Sequence, residues 1–133
     1  MLAFHSARYA QTVTFQVRMV PTLIDLANLD HLFKGDKALM CEWIELYLQE
    51  SPQYYVQLSA SLESGNAEAL GTAAHDLQPQ AHYIGSARML ELLAAIEEKA
   101  FNGDTVGCAD PLNALLSMRE AIDAELRAAL DVA

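Results

Sequence analysis

The strongest constraint on what this chain can fold into is its punctuation. From residue 21 onward, apolar stripes at helical spacing are interrupted by pairs in which one residue stops a helix and the next starts another. Gly35-Asp36, Gly65-Asn66 and Gly85-Ser86 each place a glycine, at home in the left-handed conformation of a helix C-terminus, before a side chain that can cap an N-terminus. Ser51-Pro52 and Asp110-Pro111 read as caps followed by proline at the first helical position, and Asn102-Gly103 as a further stop. Between these marks run stripes such as Leu23, Leu26, Leu29 and Phe33, then Leu39, Met40, Trp43, Ile44 and Tyr47. The last segment repeats the pattern with Leu112, Leu115, Leu116, Ile122, Leu126 and Leu130. The apolar residues are mostly Leu and Ala, both strong helix formers. The spacing predicts six helices with short connections. The expected fold is all-α, an antiparallel up-and-down four-helix bundle with one or two extra N-terminal helices, the first acting as a lid.

Residues 1–20 differ. "AQTVTFQVRMV" is rich in β-branched residues and carries no helical stripe, so residues 1–20 are set apart as an N-terminal extension and 21–133 as the bundle domain. The extension reads equally as an extended arm, a partly disordered segment, or the result of an upstream start with Met19 as the alternative.

Charge removes whole classes of partner. Eighteen acidic residues against eight basic ones give a net charge of −10, which repels nucleic acid and anionic membrane surfaces. Cys41 and Cys108 form no C-x-x-C pair, so they are expected as reduced thiols in a cytoplasmic protein. No apolar run approaches the roughly 18 residues of a membrane span. There is no glycine-rich phosphate loop and no internal repeat.

The stretch "AAHDLQPQAHYIG" is the exception to an ordinary helix. On the helix expected over 66–84, Leu70, Ala73, Ala74, Leu77, Ala81 and Ile84 form the core stripe. His75 and His82 fall on the opposite side, together with Gly71, Gln78 and Pro79, and Thr72 borders them. Gly71 and Pro79 both weaken a helix, and they flank His75 four residues to either side. The two histidines are seven apart rather than four, so a shared metal ion is not expected. No Ser or Cys nucleophile accompanies them, and Asp76 points away from the ring, so an acyl-transfer site is not expected either. A lone exposed imidazole suits phosphoryl chemistry, because its neutral nitrogen is nucleophilic near neutral pH and a partner can supply the rest.

From His75 the chain resembles the histidine-containing phosphotransfer (HPt) domain of bacterial two-component phosphorelays. That family's motif is His, Leu at +2, Lys at +3, Gly at +4 and a second Gly at +10. Here those positions hold His75, Leu77, Gln78, Pro79 and Gly85. The Gly-Asp turn, long amphipathic helix, proline and Gly-Asn turn upstream follow the family's rhythm, and the similarity covers about residues 23–130. The resemblance implies that His75 accepts a phosphoryl group and that Gln78 hydrogen-bonds it. It also implies that Gly71, Thr72, Pro79, His82 and Gly85 shape the face where partners dock. The implied partners are a response-regulator receiver domain and a hybrid histidine kinase. The chain itself would be a monomeric carrier without kinase activity, cofactor or metal, any Mg²⁺ belonging to the receiver. Gln78 stands where the family has a lysine, so a charge-assisted bond to the phosphoryl group becomes a neutral one. Arg88 and Lys37 are the candidate cations to take that lysine's place, and His82 is the rival acceptor. Two other readings stay open: a phosphotransfer-deficient adaptor that binds a receiver or kinase, and a helical bundle outside phosphorelays.

Overall fold

A computed structural model describes residues 22–132, and the extension expected over residues 1–20 lies outside the described residues. Five α-helices follow one another: α1 (Ala27–Leu32), α2 (Lys37–Ser64), α3 (Ala67–Ile84), α4 (Ala87–Phe101) and α5 (Ala109–Val132). A 3-10 turn, Val106–Cys108, leads into α5. The described residues contain no strand, and none of their helices is long and apolar enough to cross a membrane. The fold is an all-α helical bundle.

Three of the five expected caps act as the sequence requires, whereas Asp110 lies inside α5, which already starts at Ala109. Asp36, Asn66 and Ser86 accept the backbone N–H groups of Leu39, Ala69 and Met89 at 3.2, 3.0 and 3.2 Å. Each satisfies a donor that a helix start would otherwise leave unpaired. Gly65 and Gly85 end α2 and α3 with φ of 68° and 69°. Consecutive helices pack side by side and α5 returns beside α2, which closes a ring of four with α1 across one end against α2 and α3.

Ser51-Pro52 corrects one expectation. No helix ends there; α2 runs unbroken through Pro52. The reason is a single buried stripe, Ile44, Tyr47, Ser51, Tyr55, Leu58 and Ser61, which would be severed by a break. Burying that stripe outweighs the one backbone hydrogen bond that proline removes. Ser51 is therefore a buried seam residue and not a cap, and five helices stand where six were expected. Leu39, placed on the inner stripe by its spacing, lies instead on the exposed first turn of α2.

The core contains all six residues of the α3 stripe, Leu70, Ala73, Ala74, Leu77, Ala81 and Ile84. A fully buried Leu contributes about 1.5–3 kcal/mol. One part of the interior is polar. Tyr47, Ser51 and Tyr55 of α2 and Asp123 of α5 are all buried, and the Arg119 guanidinium lies 4.3 Å above the Tyr55 ring. Burial pushes the Asp123 carboxyl above the usual carboxylate range, and only partly do Arg119 and Arg127 oppose the shift.

Ahead of α1, the segment from residue 22 to 26 is strapped to the bundle. The Glu125 carboxylate accepts the Leu23 N–H at 2.9 Å, and Asp25 N–H donates to the Ile84 carbonyl at 2.9 Å. Asn28 Nδ2 donates to the His82 carbonyl at 2.8 Å. This strap fixes the end of α3 that carries His82 and Gly85.

Candidate functional site

The site is assembled by the α3–α4 hairpin. The hairpin turns at Gly85-Ser86, and helices rising 1.5 Å per residue in opposite senses bring residues equidistant from the turn level with one another. His75 lies ten residues before Gly85 and Glu97 eleven after Ser86. Their side chains meet: His75 Nδ1 is 3.1 Å from Glu97 Oε1. The second carboxylate oxygen, Oε2, accepts a hydrogen bond from Gln78 Nε2, one turn further along α3. One carboxylate thus holds both motif side chains.

This arrangement fixes the chemistry of the ring. A carboxylate only accepts hydrogen bonds, so the ring proton belongs on Nδ1 and the lone pair on Nε2. The His75 side chain is 69% exposed, so Nε2 is open to a reagent from outside. Glu97 is half-buried, and no Lys or Arg lies within ion-pair distance of it among the described residues.

The remaining expected residues separate into three groups. Thr72, Pro79 and His82 are exposed on α3, on the same outer surface as His75. The His82 ring meets Tyr83 edge to face at 5.4 Å, and no hydrogen bond to that ring is found among the described residues. Gly71 and Gln78 are half-buried and not fully on the outer strip, because α4 packs along that flank. A Cβ on Gly71 would sit 3.4 Å from the Ala100 Cβ, so the glycine lets the two helices approach. Gly85 lies elsewhere. It is half-buried under the strap, and a Cβ there would fall 1.9 Å from the Asp25 carbonyl oxygen. Its visible work is to end α3 and admit Asp25.

Gln78 has a partner on the neighbouring helix. Its amide is engaged with Glu97 and not directed freely at an incoming group. Arg88 is paired with Glu91 at 3.2 Å on the first turn of α4, and Lys37 is exposed at the start of α2.

Glu97 is the residue that sequence reasoning missed. Within α3 the adjacent carboxylate is Asp76, which points away from the ring. The signal lay in the hairpin, in the near-equal counts on either side of Gly85-Ser86. Among the described residues, no cluster of three or more His, Cys, Asp or Glu could hold a metal ion.

A family model described as Hpt domain matches residues 42–131. No curated protein and no solved structure matches the chain.

Proposed function

The chain belongs to the Hpt domain family, whose members carry phosphoryl groups on histidine in phosphorelays, and on that premise we propose that His75 is the phosphoacceptor. Hpt domains are phosphocarriers and not kinases, and they work with receivers and kinases of two-component systems. In our reading this chain takes the group from a receiver aspartate and passes it to another receiver, as a cytoplasmic monomer.

The observation that carries the proposal is the hydrogen bond from His75 Nδ1 to Glu97 on an otherwise exposed ring. The Nε2 lone pair attacks the phosphorus of the receiver's acyl phosphate. The Nε2–P bond forms as the P–O bond to the aspartate breaks, and that electron pair leaves with the carboxylate. The ring then bears phosphorus on Nε2 and a proton on Nδ1, so it is cationic, and Glu97 stabilises that charge. In the onward step the same proton makes the leaving group a neutral imidazole instead of an imidazolate. One carboxylate therefore serves both directions of transfer.

The experiment is to mix the chain with a phosphorylated receiver and follow acid-labile, base-stable label. Wild type and His82→Gln are expected to take label and His75→Gln none. Label that persists in His75→Gln and vanishes in His82→Gln would move the acceptor to His82.

A specific observation favours a second reading. Glu97 places a carboxylate beside the acceptor, and Gln78 brings no charge to oppose it, so an incoming phosphoryl group meets a negative neighbour. In that case the chain is a phosphotransfer-deficient adaptor, which would bind a receiver without taking label and gain transfer with Gln78→Lys.

A further inference from the structure

We propose that the groove beside His75 seats an apolar side chain of the receiver domain, with Phe101 as its wall and as a residue that sets receiver affinity. This rests on His75 being the acceptor. The groove runs between the first half of α3 and the last half of α4 and encloses about 660 Å³. Its lining includes Ala67, Gly71 and Ala100, whose small side chains leave the space between the helices open. Phe101 lines the groove and is 90% exposed. An aromatic ring left almost wholly in water gains most from being covered, and rings of this kind dominate binding energy when a partner excludes water from them.

Continuity with the reacting atom identifies the occupant. His75 and Glu97 also line the groove, so a domain that brings an acyl phosphate to Nε2 covers its neighbourhood in the same docking event. Charge narrows the choice further. Glu68 and Glu97 are the charged residues among the groove's lining, apart from His75, and no Lys or Arg is among them. A second copy docked through the same face would set these carboxylates against their own counterparts, at a repulsive cost. A partner with a basic flank beside its apolar side chain meets no such cost. The chain's net charge of −10 disfavours nucleic acid and anionic lipid as occupants.

The test measures transfer from a phosphorylated receiver to the full chain as a function of receiver concentration. Phe101→Ala is expected to raise the half-saturating concentration about tenfold and Phe101→Asp further, with the maximal rate unchanged. Val132 is also exposed, at the far end of α5, and Val132→Asp is expected to behave as wild type. If wild type takes label and Phe101→Asp matches its half-saturation, the groove has no such role while the His75 assignment stands. If wild type takes no label, both fail. An equal effect of Val132→Asp assigns the change to general charge and overturns the proposal. So does a sedimenting dimer that Phe101→Asp dissolves, which gives the groove to a second copy.

Discussion

If His75 is the acceptor proposed above, Glu97 makes its exposed ring a directed nucleophile, and that contribution can be measured apart from fold. Removing it leaves the Nδ1 proton without its charged partner in both the attacking and the leaving ring. Glu97→Ala is expected to slow transfer about tenfold, which corresponds to roughly 1.4 kcal/mol of transition-state stabilisation. Glu97→Gln keeps an acceptor without the charge and is expected to fall between the two. Rapid quench of label transfer gives the rates, and a wild-type rate in Glu97→Ala would remove the residue from the mechanism. Asp123 poses the opposite problem, a carboxylate that burial disfavours. Its folded pKa is raised above the unfolded value, so between the two the folded state holds the extra proton and stability falls as pH rises. Above the raised value the penalty is fully present. Asp123→Asn is therefore expected to raise Tm at a pH above the raised value, by a few degrees at most because Arg119 loses its partner, with the gain shrinking as pH falls toward the ordinary carboxylate range. A gain that grows on acidification would contradict this sign. The residue types at the site were legible in the sequence: His75 faces outward as its position on the helix requires, and Gly71, Thr72, Pro79 and His82 lie on its side of the core stripe. The role of Gln78 was not, because a side chain's partner depends on the neighbouring helix.

At the scale of elements, the two left-handed glycines separate backbone strain from crowding. Gly65 and Gly85 have nearly the same φ, 68° and 69°. A Cβ on Gly65 would meet nothing within 4 Å, whereas one on Gly85 would strike the Asp25 carbonyl oxygen. Gly65→Ala is expected to cost about 1 kcal/mol from the left-handed conformation alone. Gly85→Ala adds displacement of the strap, and a total loss of about 2–4 kcal/mol in urea unfolding is expected. Equal losses at the two positions would show that the strap yields freely. Where helices begin and end was mostly legible, since Asp36, Asn66 and Ser86 cap through their own side chains within three residues. Pro52 was misleading for the converse reason. A proline's local cost is read from sequence, but the stripe that overrides it spans α2 from Ile44 to Ser61 and gains its energy only against other helices.

For the molecule as a whole, electrostatics oppose compaction. Eighteen acidic residues stand against eight basic ones, and the ion pairs among the described residues are Arg88–Glu91, Arg119–Asp123 and the His75–Glu97 contact. Screening therefore weakens more repulsion than attraction. Raising NaCl from about 10 mM, where the Debye length is ~30 Å, to about 150 mM, where it is ~8 Å, is expected to raise Tm by several degrees. A fall in Tm would mean that exposed ion pairs outweigh the net charge. The sequence by itself determined the properties that repeat along one helix or sum over the chain: the all-α class, the caps at Asp36, Asn66 and Ser86, the core face of α3, the net charge and the outward placement of His75. These follow from helical periodicity and from side chains acting on backbone a few residues away. The tertiary structure alone decided what sits across from each residue. It brought Glu97 to His75 and Gln78, Ala100 to Gly71, and Asp25 to Gly85. Those pairs are separated along the chain and joined only by packing, and the contact energy that selects them exists only once the helices have met.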